Sequence, residues 1–333
     1  MRTIPRFLFP SFVKKKMKTN SLTKVKINGT EQWVLVRGQK ADAPLIIHVQ
    51  AGPGLPMIPE AKTMEKMLHL EQDYLVAYWD QRGSGKSFNK NIDPKTINFQ
   101  QMADDIIGCT KYLLKQYGRQ KATLIGYSIG ASTTLMAAMK ESELFSQLFL
   151  VGIDIDLPKA NDYALHFLAT KARERGNSKW IKQANELSLA PILETNAFQK
   201  RAKLLTDLGG ITTRASYNQL VLTSVKNMVC SREYKLSDIP KTIKGMEFSQ
   251  NALLPELNTL NLFHKGEKVG VPVHFIQGKK DGLAPFQIAV DYFNYLQAPA
   301  KSFTTFEESA HMPHYEEPDK FARLIKEKLT SSI

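Results

Sequence analysis

The chain has 333 residues, 43% hydrophobic and 23% charged. That make-up suits a globular protein with a sizeable core, and the length leaves room for one large α/β domain with an insertion or for two domains. The net charge is +13, from 45 Lys and Arg against 32 Asp and Glu, but the lysines are scattered with no basic and aromatic stripe, which argues against a nucleic-acid partner. Cys109 and Cys230 lie far apart, so they make neither a disulfide framework nor a zinc site, and they fit a reducing, cytoplasmic setting.

In chain order, residues 1–23 form an N-terminal arm. Phe7-Leu8-Phe9-Pro10-Ser11-Phe12-Val13 is apolar and Lys14-Lys15-Lys16-Met17-Lys18 follows it. The apolar run is too short to span a bilayer, and its charge lies on the wrong side for a secretory signal. The arm therefore reads as a docked or flexible segment, or as a weak peripheral contact with an anionic membrane surface. Residues 24–156 alternate strand and helix, with strands expected at 24–27, 32–36, 45–49, 75–79, 122–127 and 148–153. The later ones are near-continuous apolar runs, as in a parallel sheet covered on both faces. A helix is expected at 99–117, where Met102, Ile106, Cys109, Leu113 and Tyr117 recur at helical spacing before Gly118. Residues 157–270 show helical patches and turn residues with few strand signals, and read as a helical cap inserted over the sheet's C-terminal edge. Residues 271–333 return to alternation: strand 272–277, helix 285–296, strand 302–306, helix 318–329. The fold class is α/β, a mostly parallel central sheet flanked by helices.

The chemistry begins at Gly126-Tyr127-Ser128-Ile129-Gly130. As a bare pattern G-x-S-x-G also arises in ordinary Gly/Ser turns. Here an apolar strand precedes it and a run of helix formers follows, the setting of a nucleophile elbow. Such a serine needs a base, an acid to orient the base, and donors for the oxyanion. Asp281, after the strand 272–277, and His311, after the strand 302–306, stand in the chain order Ser, Asp, His of this fold. Both loops fall on the sheet edge that carries the elbow, the ligand side of open α/β sheets. His314 is the rival base, with a surface or supporting role as its alternative. Asp154 and Asp156, after the strand 148–153, are the rival acids, and Asp154 otherwise serves the hinge of the cap. Ile129 and Gly52, the latter in Gln50-Ala51-Gly52-Pro53-Gly54, are the expected backbone donors of the oxyanion hole. Gln50 and Tyr127 are expected to shape the substrate pocket. His48, His69, His166, His264 and His274 carry no pattern and are assigned structural roles. Gly83-Ser84-Gly85-Lys86-Ser87 imitates a phosphate loop, but the position that requires the first glycine holds Asp80.

Trp79-Asp80-Gln81-Arg82-Gly83-Ser84-Gly85-Lys86-Ser87 resembles the D-Q-R-G-x-G-x-S segment of the proline iminopeptidase (prolyl aminopeptidase) branch of α/β-hydrolases. Gln50–Gly54 is similar to that branch's H-G-G-P-G loop, and residues 308–318 to its closing histidine segment. The similarity spans residues 24 to 330 and is weakest in the cap. It implies an α/β-hydrolase core with a helical cap, no metal or other cofactor, Ser128, Asp281 and His311 as the triad, and a small-molecule or short-peptide substrate. Three positions depart from the branch: Gln50-Ala51 replaces His-Gly, Tyr127 precedes the serine, and Ile129 stands where a tryptophan is usual. Backbone donors survive these changes, while the pocket walls differ. The branch also uses acidic cap residues to hold the substrate's amine, and Glu174, Glu186, Glu194 and Glu233 are available. An iminopeptidase-like enzyme working through an acyl-enzyme, a small-molecule carboxylesterase and a non-catalytic ligand binder all remain open at this point.

Overall fold

The computed structural model describes residues 19–189 and 194–330. The arm expected at 1–23 therefore lies outside the described residues as far as residue 18. The chain from Thr19 already belongs to the sheet, since β1 (Thr19–Ile27) pairs along its whole length with β2 (Thr30–Gly38). The expectation of a strand starting at 24 fell short because the first half of β1 is polar and only partly covered, as on a sheet edge that faces solvent. β3 (Leu45–Val49), α1 (Ala61–Leu68), β4 (Leu75–Asp80), α2 (Phe99–Tyr117), β5 (Ala122–Tyr127), α3 (Ile129–Lys140) and β6 (Phe145–Val151) follow.

Between β6 and β7 the described chain holds five α-helices and no strand: α4 (Leu157–Glu174), α5 (Ser178–Leu189), α6 (Thr195–Asp207), α7 (Tyr217–Cys230) and α8 (Asp238–Leu253). The sheet resumes with β7 (Val273–Gly278), α9 (Phe286–Tyr295), β8 (Lys301–Phe306), α10 (Pro313–Glu316) and α11 (Pro318–Thr330). Among the described residues no helix is long and apolar enough to cross a membrane.

The eight strands form one sheet in the order β1-β2-β4-β3-β5-β6-β7-β8. β1, β2 and β4 pair antiparallel and the rest pair parallel. The chain leaves β3 first toward β4 and then returns to β5 on its other side, so strand order reverses at β3. A crevice opens at such a reversal, beyond the carboxyl ends of the strands. β3, β4 and β5 are buried at every position, which explains their continuous apolar sequences. One apolar layer packs α2, α3 and α9 on one face of the sheet, with Cys109 inside it, and a second packs α1 and α11 on the other. The inserted helices have a smaller cluster of their own, built on Leu168, Leu187, Leu204, Leu205 and Leu208.

Candidate active site

Ser128 stands between β5 and α3 with φ 53° and ψ −127°, a conformation that side-chain-bearing residues rarely adopt and that is typical of strain held at functional sites. The flanking glycines make the turn possible through closeness. A Cβ on Gly126 would lie 2.7 Å from Ala131 Cα, and one on Gly130 would lie 2.1 Å from the carbonyl oxygen of Gln50. The start of α3 is thereby pressed against the loop after β3. Ile129 opens α3, so its N–H has no acceptor inside its own helix. That contact brings the Ile129 amide and the Gln50–Gly54 loop side by side, the juxtaposition an oxyanion hole needs.

Two loops carry the remaining partners. Asp281 is fully buried after β7, and its Oδ1 accepts hydrogen bonds from the N–H groups of Leu283 and Ala284, 2.8 Å each. Its Oδ2 takes Gln277 Nε2 at 2.9 Å and lies 2.8 Å from His311 Nδ1. This carboxylate is fixed from both sides and presents one oxygen to the imidazole. Burial disfavours the imidazolium, but the charges of Asp281, Asp154 and Glu316 outweigh it, and the His311 pKa rises from 6.5 to about 9. The ring rests against Gly152 at the end of β6, where a Cβ would lie 3.1 Å from both Nδ1 and Cε1.

Asp154 falls in the site as well. Ser128 Oγ donates to Asp154 Oδ2 at 2.9 Å, so in this structure the nucleophile's hydrogen bond runs to Asp154 and not to His311. Burial raises the Asp154 pKa from 3.8 to about 6, opposed by His311 and by the Ser128 hydroxyl. Asp156, the other rival acid, caps α4 through Lys159 N and bonds Asn261 Nδ2.

The two residues expected in the pocket lie elsewhere. Gln50 Oε1 accepts from Ser84 Oγ at 3.2 Å and from Gln81 N at 3.5 Å, so the side chain ties two loops together behind the site. Tyr127 is buried in the layer of α1 and α11 and its hydroxyl meets His48 Nδ1 at 3.0 Å. Residues in a strand alternate between faces, and with Ser128 presented at the elbow the preceding side chain turns into the core. His314 is buried against Tyr127, ring centroids 4.6 Å apart, and burial lowers its pKa to about 3. It is a supporting residue, and it is not at the surface.

The D-Q-R-G segment proves structural. Asp80 Oδ1 accepts from the N–H groups of Met57 and Ile58, just past the loop after β3, while Oδ2 accepts from Lys86 N and from Tyr234 of the inserted region. Arg82 grips Asp105 through Nε–Oδ2 at 2.8 Å and Nη2–Oδ1 at 2.9 Å. Lys86 is paired with Asp238 at 2.8 Å, which disposes of the phosphate-loop resemblance.

The segment between α6 and α7 bonds to both loops. Gly210 O accepts from Gly282 N at 2.8 Å, and Ile211 O accepts from His311 N at 3.1 Å. None of the four glutamates available for an amine bonds a residue of the site among the described residues. Glu174, Glu186 and Glu194 are exposed, and Glu233 pairs with Arg37 at 2.6 Å. Sequence reasoning missed a buried cation in the inserted helices, Arg201 of α6, which is 5% exposed. Burial lowers its pKa to about 10, and the Asp154 charge opposes that shift. Only its apolar helical neighbours, Leu204 and Leu205, hinted that position 201 faces inward. Among the described residues no group of three or more His, Cys, Asp or Glu is placed to hold a metal ion.

Residues 65–217 match the model of the serine aminopeptidase S33 family. The chain is 28% identical over 306 residues to the probable aminopeptidase YbaC of Bacillus subtilis (strain 168), covering 91% of this chain and 94% of that protein. Among solved structures, the proline iminopeptidase-related protein of Thermus thermophilus superposes with a TM-score of 0.66 at 17% identity, covering 94% of this chain and 98% of that one. An esterase of Exiguobacterium antarcticum superposes with a TM-score of 0.60 at 19% identity, covering 94% and 99%. The chain is a serine hydrolase of the α/β-hydrolase fold, and it resembles the prolyl aminopeptidase branch.

Proposed function

We propose that the protein removes an N-terminal residue from short peptides or related small amides through an acyl-enzyme on Ser128. The observation that carries this reading is the 2.8 Å contact of His311 Nδ1 with the doubly anchored Asp281, on loops beside a strained elbow serine. In the reaction, the Ser128 hydroxyl turns from Asp154 toward His311. His311 Nε2 takes the Oγ proton as the Oγ–carbon bond forms, and the N–H groups of Ile129 and Gly52 hold the oxyanion. His311 then returns the proton to the leaving nitrogen as the carbon–nitrogen bond breaks. Water, deprotonated by the same histidine, attacks the acyl-enzyme and frees Ser128. Apo hydrogen bonds commonly rearrange in this way on substrate binding. The peptide preference is supported by the aminopeptidase relative.

One observation favours a second reading, hydrolysis of small carboxylic esters: of the cap glutamates that would hold an amine, three are exposed and Glu233 is paired with Arg37. Fluorophosphonate treatment followed by mass spectrometry tests the shared chemistry. The adduct is expected on Ser128 and is expected to vanish in Ser128→Ala, and labelling that survives the substitution refutes the assignment. Turnover of a proline anilide against short acyl nitrophenyl esters then decides between the two substrates.

A further inference from the structure

Arg201 is a buried cation without a ligand of its own. It lies 95% covered in α6, its Nη1 has no hydrogen-bond partner, and no ion pair involves it among the described residues. Its guanidinium carbon stands 5.5 Å from the centre of the Phe198 ring, within cation–π range. Leaving a buried guanidinium nitrogen unpaired is costly, so such a group is normally kept where a partner arrives. Among the described residues, Asp154 is the one carboxylate whose charge Arg201 feels. Yet the two form no ion pair, and Asp154 Oδ2 is already taken by Ser128 Oγ. The positive charge thus acts on the carboxylate that holds the nucleophile, while its Nη1 stays without a partner.

We propose that Arg201 anchors a carboxylate of the substrate, so that the enzyme selects molecules carrying an acid group within a few bonds of the carbonyl that Ser128 attacks. This deepens the hydrolase reading and rests on it. A planar five-donor fork suits bidentate carboxylate recognition. A short peptide supplies the acid group on the leaving side through its C-terminus, and a dicarboxylic monoester supplies it on the acyl side.

The test uses the full chain and two small probes, glutarate and its uncharged counterpart glutaramide. Glutarate is expected to slow fluorophosphonate labelling of Ser128 several-fold and to raise the melting temperature, while glutaramide does neither. In Arg201→Gln the apparent affinity for glutarate should fall at least about tenfold, the scale of one lost charge-assisted contact, and Arg201→Lys should retain part of it. Equal effects of the two probes on the wild type overturn the proposal, as does a glutarate effect that persists in Arg201→Gln. If Arg201→Gln melts too low to compare, Arg201→Lys and the probe pair on the wild type still decide. Absence of labelling in folded protein would sink the hydrolase reading alone, since the melting shift reports on Arg201 independently. Matched substrates locate the acid group: Pro-Ala against Pro-Ala amide, and nitrophenyl hemiglutarate against nitrophenyl valerate. A preference of about tenfold or more for the acid member is expected in one pair, and no acid preference in either pair refutes the inference.

Discussion

Replacing Gly152 by alanine tests whether the histidine is seated as the structure shows. Gly152 has φ +57° at the end of β6, and an added Cβ would stand 3.0 Å from the carbonyl oxygen of His311 and 3.1 Å from its Nδ1 and Cε1. Two costs follow. A side chain at this φ strains the backbone by about 1–2 kcal/mol. The contact, shorter than the roughly 3.5–4.0 Å optimum between heavy atoms, pushes the imidazole off the 2.8 Å bond to Asp281. If a misplacement of about 1 Å costs on the order of a hundredfold, one of half that size should cost about tenfold. Gly176, with φ +61° and nothing within 4 Å of where a Cβ would stand, isolates the first cost from the second. Both alanine variants should melt a few degrees lower, at about 2–4 °C per kcal/mol or less for a chain of this size. Only Gly152→Ala should also label with fluorophosphonate about tenfold more slowly at a temperature where all forms are folded. Equal labelling by the two variants, with Gly152→Ala destabilised, would show that the ring does not rest on Gly152.

Three further outcomes follow from the same geometry. His311 must be neutral to accept the serine proton, and its pKa stands at about 9, so the wild-type labelling rate should climb with pH toward that value. Asp281→Asn should move this limb down by at least about one unit and lower the plateau by about 10⁴; an unmoved limb in a pH–rate profile refutes the pairing. Asp154 has a folded pKa of about 6 against 3.8 unfolded. Its stability contribution is therefore complete below 3.8 and lost as pH rises through 6, and Asp154→Asn should stabilise the protein at pH 8 by on the order of 1–3 kcal/mol and much less at pH 4, read from urea melts. Arg82→Met leaves Asp105 buried without its cation and should cost about 3–5 kcal/mol, while labelling per folded molecule stays at the wild-type rate; a selective loss of labelling would make the D-Q-R-G segment catalytic after all.

Much of this was legible in the sequence, for reasons that differ from residue to residue. β3, β5 and α2 fall where their residues place them, at Leu45–Val49, Ala122–Tyr127 and Phe99–Tyr117, because a two-sided core demands continuous apolar strands and a helix must show its stripe. Ser128, Asp281 and His311 could be named because each type is bound to a strand end by chain order, and the structure joins the last two at 2.8 Å. What escaped depends on directions that periodicity does not carry. Tyr127 and Gln50 neighbour the site in sequence, yet one turns into the sheet's far layer and the other binds Ser84 behind the loop. From sequence Asp154 reads as an alternative acid for the histidine or as a hinge residue of the cap, whereas its position after β6 directs it at the serine hydroxyl itself. Arg201 is the hardest case, since a lone arginine in a lysine-rich helix reads as solvated surface. Its burial is set by how α6 packs on α5, a tertiary fact with no local signature. The candidate triad is thus written in motifs because the elbow and strand ends constrain it, whereas in the inserted helices the sequence is free to vary so long as each helix keeps an apolar side.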